Sequence, residues 1–259
     1  RMANSVTGAN VYFRTLMFRN DDSFYWRGVL HEFVEQRKKT IVEQKIFGDY
    51  YVISGRFGAR SNNPQKYFQD AQVLEKAFYS PEDEDLKDRY AFYTAQSYRD
   101  ANMPQKAIEW YVKRANLGGW HEEVYYSMLQ IALLKIELNA SLDEIQHLLL
   151  AAYEYRPQRA ESLYHLARQL RLHDKIRLAY IYASAAVNIP LNKDILFVDH
   201  SVYEWKAKDE LAVSAYWVEN YQLCYNICFE LLANPVIPDE DKKRFQSNLD
   251  FAKENLDKD

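Results

Sequence analysis

Apolar positions along the chain follow two regimes that meet near Asn63. Before it they alternate: Val11-Tyr-Phe-Arg-Thr-Leu-Met-Phe18 is rich in β-branched and aromatic side chains with period two, which predicts a strand. Asn20-Asp21-Asp22 supplies turn residues, so Ser23-Phe-Tyr-Trp26 is predicted to return as the second strand of a hairpin. Further strand candidates lie between Ile41 and Ile53, split by Gly48-Asp49. After Asn63 the period becomes 3.6, with Tyr67, Phe68, Ala71, Leu74, Ala77 and Phe78 forming one apolar stripe behind Pro64.

The helical pattern then repeats. Ser80-Pro81 with Glu82, Asp83 and Glu84 announces a helix over roughly 85 to 100, with acidic residues at the positive end of its dipole. Asn102 to Pro104 makes a turn, Ala107, Ile108, Tyr111 and Val112 face inward on the next helix, and Gly118-Gly119 ends it. New helices are predicted near His121, at the capping box Ser141-Leu-Asp-Glu144, after Arg156-Pro157 and near Asp174. Hairpins thus begin near residues 86, 121 and 158, about the 34-residue period of tetratricopeptide units. Ala95, Tyr98, Ala107 and Tyr111 give the small and aromatic alternation by which such helices approach and interlock. Pro190 to Val198 reads as an extended linker, residues 204 to 233 as a last hairpin, and Pro238 to Leu256 as a polar capping helix. The predicted fold class is therefore mainly α, a tetratricopeptide-like α-solenoid of antiparallel helix pairs preceded by a short β-rich segment. Its expected division is a β-rich piece over 1–62 and a helical repeat domain over 63–259.

Composition narrows the function. A net charge of -4 carries no electrostatic footprint for nucleic acid. No apolar run approaches the roughly 20 residues of a bilayer span, so no transmembrane segment and a cytoplasmic location are expected. The only cysteines, Cys224 and Cys228, lie one helical turn apart and read as reduced, buried small hydrophobes. The chain opens on Arg1 without a signal-peptide pattern, and reads as part of something longer.

The densest chemistry lies in Phe18-Arg-Asn-Asp-Asp-Ser-Phe-Tyr-Trp26-Arg-Gly28-Val-Leu-His31-Glu32. Trp26 can stack on a sugar ring, Gly28 admits close backbone approach, His31 can bind a metal or move a proton, and Glu32 can orient the imidazole. The plain alternative is a hairpin closing onto a helix with a satisfied histidine. Phe18-Arg-Asn-Asp followed by Trp26-Arg-Gly-Val-Leu-His31-Glu32 resembles the end of the catalytic domain of family 2-like glycosyltransferases of the GT-A type. Gly55-Arg-Phe-Gly-Ala-Arg60, Tyr93 to Asp100, Trp110-Tyr111, Gly118-Gly-Trp-His-Glu-Glu123, Leu196-Phe197-Val198 and Val202-Tyr-Glu-Trp205 resemble the tetratricopeptide-like extension that follows it in a subset of these enzymes.

That resemblance implies a C-terminal portion of an enzyme that transfers sugar from a nucleotide-sugar donor bound by a missing upstream domain. It implies His31 as a metal ligand or catalytic contact near the diphosphate or acceptor, and Glu32 as a second catalytic residue. A divalent metal, Mn or Mg, is expected in the full-length enzyme but not as a tight ligand of this chain alone, whose turnover is expected to be lost. Asn20-Asp21-Asp22 is not the D-x-D metal motif of such enzymes, which belongs upstream.

In the helical part, Tyr93, Gln96, Arg99, Trp110, Arg114, Trp120, Tyr125 and Tyr126 make a candidate acceptor groove. Aromatics interleaved with Arg and Gln suit a protein or glycan acceptor, although packing between repeats uses the same residue types. A non-enzymatic tetratricopeptide-like adaptor that binds a protein partner is the second reading.

Overall fold

A computed structural model describes residues 17–38, 44, 46–48 and 62–257, and the backbone alone at 2–3, 11–12 and 52–53. The fold is mainly α, a tetratricopeptide-like series of antiparallel helix pairs preceded by short strands. Strands β1 (Met2–Ala3), β2 (Val11–Tyr12) and β5 (Val52–Ile53) form one small sheet in the order β2-β1-β5, and β3 (Phe24–Arg27) pairs antiparallel with β4 (Phe33–Gln36) in another. The hairpin expected between 11–18 and 23–26 is therefore replaced by one closed through residues 28–32, where Gly28 supplies a positive φ that the turn requires. Residues 13–16, and most of the strand candidates over 41–53, lie outside the described residues.

Ten α-helices follow among the described residues: α1 (Lys66–Phe78), α2 (Lys87–Asp100), α3 (Pro104–Leu117), α4 (His121–Glu137), α5 (Leu142–Tyr155), α6 (Glu161–Leu172), α7 (Ile176–Val187), α8 (Ala207–Trp217), α9 (Tyr221–Ala233) and α10 (Asp239–Leu256). A 3-10 turn, Glu84–Leu86, leads into α2, and one π-helical stretch, Val202–Lys206, leads into α8. The start signals act as read: Pro104 opens α3, and the Ser141 hydroxyl accepts from the Glu144 N–H at 3.3 Å.

The turns inside the four pairs α2/α3, α4/α5, α6/α7 and α8/α9 share one device. Asn102, Asn139, Asp174 and Glu219 take φ of 58°, 54°, 58° and 66°, and the next residue's N–H reaches back to a carbonyl of the preceding helix's last turn. Those bonds are Met103 to Tyr98, Ala140 to Lys135, Lys175 to Leu170 and Asn220 to Ala215, each 2.9 or 3.0 Å. Three of the four turns use Asn or Asp, which tolerate the left-handed region. Glu219 is the exception, so Glu219→Gly is expected to raise the unfolding free energy by about 0.5–1 kcal/mol, measured by urea unfolding; a decrease would show that the Glu219 side chain outweighs its backbone strain.

The chain divides into two compact units, Arg1–Leu134 with Ile195–Phe197, and Lys135–Asp194 with Val198–Asp259. In the first, Leu74, Ala77, Leu86 and Tyr90 form a core against which Leu30 and Phe33 of the β3–β4 hairpin pack. In the second, Ala183, Ala212, Ala215, Leu231 and Phe245 surround Cys224 and Cys228, which are free and fully buried. The hydrogen bond between these thiols, with burial, pushes Cys228 well up, so it behaves as the small hydrophobe its spacing implied. No helix among the described residues is long and apolar enough to cross a membrane.

Candidate functional site

β3 ends at Arg27 and the turn begins at Gly28, whose φ is 96° and where a Cβ would approach the Leu30 carbonyl to 3.4 Å. Three residues on, His31 also lies in the left-handed region, φ 53°, which costs a non-glycine residue about 1–2 kcal/mol. Helix α2 holds it there. The Tyr93 ring stacks on the imidazole with centroids 3.9 Å apart and planes 9° from parallel, and Arg89 Nη2 donates to the His31 carbonyl at 2.5 Å. The Arg89 guanidinium itself lies over Phe33 at 4.6 Å and over Tyr93 at 4.8 Å, so one cation joins strand, turn and helix.

A second arginine, Arg27, fastens the hairpin from the last residue of β3, opposite Phe33. Arg27 Nη1 donates to Glu35 at 3.0 Å, and both its terminal nitrogens reach the Asp85 carboxylate at 2.8 Å, with Asp83 at 3.4 Å. Tyr25 and Tyr90 add hydroxyl bonds of 2.7 Å to Glu35 and Asp83. Of the acidic run read from sequence as a helix-dipole signal, Asp83 thus reaches Arg27 and Glu84 pairs with Lys87, and the next residue, Asp85, is the main anchor for Arg27. These bonds hold the Asp85 carboxyl below its usual range.

His31 remains exposed, yet burial of its stacked face and then the Arg89 charge depress its pKa, so the imidazole is neutral at pH 7. Glu32 is exposed and makes no hydrogen bond to His31; stacking on Tyr93, rather than the carboxylate, orients the ring. Trp26 is 59% exposed on β3, with Phe18 against its edge at 6.0 Å, which leaves a broad aromatic face open. Asp21 accepts from the Ser23 N–H at 2.9 Å, a local turn contact. Among the described residues no three His, Cys, Asp or Glu side chains gather to hold a metal ion, and the nearest charge to His31 from α2 is a cation.

The helical groove candidates separate. Arg99 is partly exposed: its Nη1 donates to the Tyr126 hydroxyl at 3.0 Å, Gln130 Oε1 at 3.2 Å and the Tyr111 hydroxyl at 3.4 Å, while Asp100 takes its other edge at 2.9 Å. Trp120 is 42% exposed at the entrance to α4. Trp110, Arg114 and Tyr125 are buried and unavailable to an acceptor. α3 turns Trp110 onto Phe78 of α1, with ring centroids 5.0 Å apart at 89°, and Lys113 covers it at 3.9 Å. Arg114 Nε pairs with Glu123 at 2.9 Å and Nη1 donates to the Gly118 carbonyl at 2.6 Å, so this arginine ties the end of α3 to the start of α4. Burial outweighs the Arg114 charge at Glu123 and raises its carboxyl pKa.

A further feature of this face was not foreseen. Glu122 accepts the backbone N–H groups of Ile195 and Leu196 at 2.8 and 2.7 Å, and the next residue, Phe197, sets its ring 4.9 Å from Tyr126 and 6.4 Å from Phe92. The linker expected to be extended instead bends at Leu196 and Phe197, whose φ is 45°, and its seat on α2 and α4 depends on residues about 70 positions away in sequence.

Neither a family model nor a curated protein matches this sequence. Among solved structures, the crystal structure of BtubC (BKLC) from P. vanneervenii is similar over 77% of this chain and 85% of that one, with a TM-score of 0.54 at 12% sequence identity. At that identity the likeness is one of fold, and it places this chain with helical-repeat architectures.

Proposed function

We propose that this chain is the C-terminal portion of a family 2-like glycosyltransferase that takes sugar from a nucleotide-sugar donor, with its helical repeats positioning the acceptor or a partner. The observation that carries the reading is His31: an imidazole stacked on Tyr93, strained into a left-handed turn between two strands and braced by α2, with Trp26 exposed on the preceding strand. Strain that persists because neighbours enforce it is characteristic of functional positions. In this reading Trp26 and Gly28 shape the sugar side, His31 contacts the diphosphate or acceptor, and Arg99 and Trp120 remain as acceptor contacts on the helices. A donor-bound Mn or Mg would supply charge neutralisation of the diphosphate, with its ligands drawn mainly from a domain upstream of these strands. A cytoplasmic location belongs to the same reading, and the two free thiols accord with it.

The test is calorimetric titration of the full-length protein with UDP-, GDP- and dTDP-sugars in the presence of Mn²⁺. One donor is expected to bind, and His31→Ala is expected to cut transfer by about 10²-fold or more. Absence of binding to every donor would sink the transferase reading. The adaptor alternative draws support from one observation, the bent Ile195–Phe197 segment, whose backbone N–H groups reach Glu122 on α4 and whose Phe197 ring lies against Tyr126 and Phe92.

A further inference from the structure

Arg89 stands apart from the other arginines. Among the described residues, those that are likewise not exposed, Arg27, Arg99, Arg114, Arg156, Arg159 and Arg171, each have a carboxylate oxygen within 4.0 Å. Arg89 has none. Its Nε is buried without an acceptor, while Nη2 donates to the His31 carbonyl and the guanidinium lies over the Phe33 and Tyr93 rings. The guanidinium is half-buried with no carboxylate oxygen within 4.0 Å, and Glu123 acts on it only at longer range, so one carbonyl bond and two ring contacts replace only part of the hydration it loses. The cost is offset when an oxyanion arrives, and the planar fork of arginine matches phosphoryl and carboxylate oxygens. Gln96, two turns along α2, leaves a second buried donor, Nε2, without an acceptor.

We propose that Arg89 is the cation of an oxyanion site shared by the β3–β4 turn and α2, and that its ligand is a diphosphate. The choice of diphosphate rests on the transferase reading; the existence of an oxyanion site rests on Arg89 alone. The contact between Arg89 and the His31 carbonyl lies at the surface, so an anion can approach without unfolding the turn. Arg89 would then have two tasks. One edge fixes the strained His31 backbone, and the charge draws the phosphoryl oxygens beside a neutral imidazole that can hydrogen-bond to them. The helical repeats would thereby contribute a residue to the donor side of the site as well as to acceptor binding.

Calorimetry of the full-length protein with pyrophosphate, inorganic phosphate, citrate and UDP at fixed ionic strength tests this. Pyrophosphate is expected to bind, with affinity falling about tenfold or more in Arg89→Gln and less in Arg89→Lys, which keeps charge but loses the fork. No pyrophosphate binding at millimolar concentration overturns the site, as does binding that Arg89→Gln leaves unchanged. Citrate binding as tight as pyrophosphate overturns the diphosphate assignment. Should circular dichroism show that Arg89→Gln does not fold, the wild-type protein decides. Pyrophosphate must shift the Arg89 side-chain N–H and His31 ring resonances, and shifts confined to other residues overturn the proposal. Nucleotide-sugar binding that is insensitive to Arg89 would sink this site while leaving the transferase reading standing. Pyrophosphate binding through Arg89 without affinity for any nucleotide sugar would do the reverse.

Discussion

Replacing Arg159 by alanine should lower the unfolding free energy by about 3–5 kcal/mol, because it leaves a buried carboxylate without its cation. Arg159 is fully buried and Glu161 is 2% exposed; the guanidinium donates to both Glu161 oxygens from Nε, at 3.1 and 3.0 Å, and again from Nη2 at 2.7 Å. Asp194 receives Arg159 Nη1 at 3.3 Å and is also held by Arg156. Glu161 further accepts the Tyr203 hydroxyl at 2.9 Å and the Asp199 N–H at 3.2 Å, so the pair joins α6, the linker and the π-helical stretch before α8. A pair this buried contributes little net stability over an apolar substitute, but losing one member strands the other. Glu161→Gln should cost less than Arg159→Ala, since the amide oxygen keeps part of the bonding while the charge is lost. Equilibrium urea unfolding of both variants and of the double variant measures the coupling, expected at about 1–3 kcal/mol. Additive effects would mean that the network does not act as a unit.

Arg159 also shows where sequence reading stops. Arg159 and Glu161 are two positions apart, a spacing seen on any polar loop, and their burial comes from Asp194 and Tyr203, 35 and 42 residues away. By contrast, the helices were legible because their signals are local. Pro104, Ser141 and Gly118 sit at helix ends where backbone groups need them, and Asn102, Asn139 and Asp174 fall in left-handed turns that suit their side chains. Glu219 occupies the equivalent turn without any such signal, and only the repeat geometry reveals it.

The candidate site was legible in part for the same reason. Trp26, Gly28 and His31 could be picked out as chemistry within seven residues, and Gly28 does take the conformation that its type allows. Pairing was harder, since 11–18 and 33–36 both offer strand-forming residues to β3 and the choice rests on the turn over 28–32. Trp110 and Arg114 were misplaced because an aromatic and an arginine on a helix read alike whether they line a groove or fill the space between repeats. What distinguishes them is a tertiary partner, Phe78 for one and Glu123 for the other. Arg89 was overlooked because an arginine in the first turns of an exposed-looking helix is ordinary; its distinction is a missing carboxylate, which no single sequence displays.

Acid should weaken the second compact unit as pH falls below neutrality, and His165 is the main cause. It lies on α6 beside Tyr164, with ring centroids 4.8 Å apart, and burial lowers its pKa to about 4 against the opposing pull of Asp199. Lys206 and Arg168 push in the same direction as burial. The unfolded chain takes up a proton at this position near pH 6.5, whereas the folded chain resists until about pH 4. Protons therefore favour the unfolded state throughout that window: the stability present above pH 6.5 is lost as pH falls, by about 3 kcal/mol at its lower end. Asp194 and Asp199, whose pKa values are lowered by their partners, give up their stabilisation only at lower pH, whereas Asp209, whose carboxyl burial raises, takes up its proton more readily in the folded chain and offsets part of the loss. His31 adds a loss of the same sign in the first unit. Urea unfolding at pH 7, 5.5 and 4 should show a steep decline for the wild type and a much flatter one for His165→Asn, which fills the position without titrating. Parallel declines in the two proteins would place the acid sensitivity in other groups and would mean that His165 is protonated in the folded chain, with Asp199 overcoming burial.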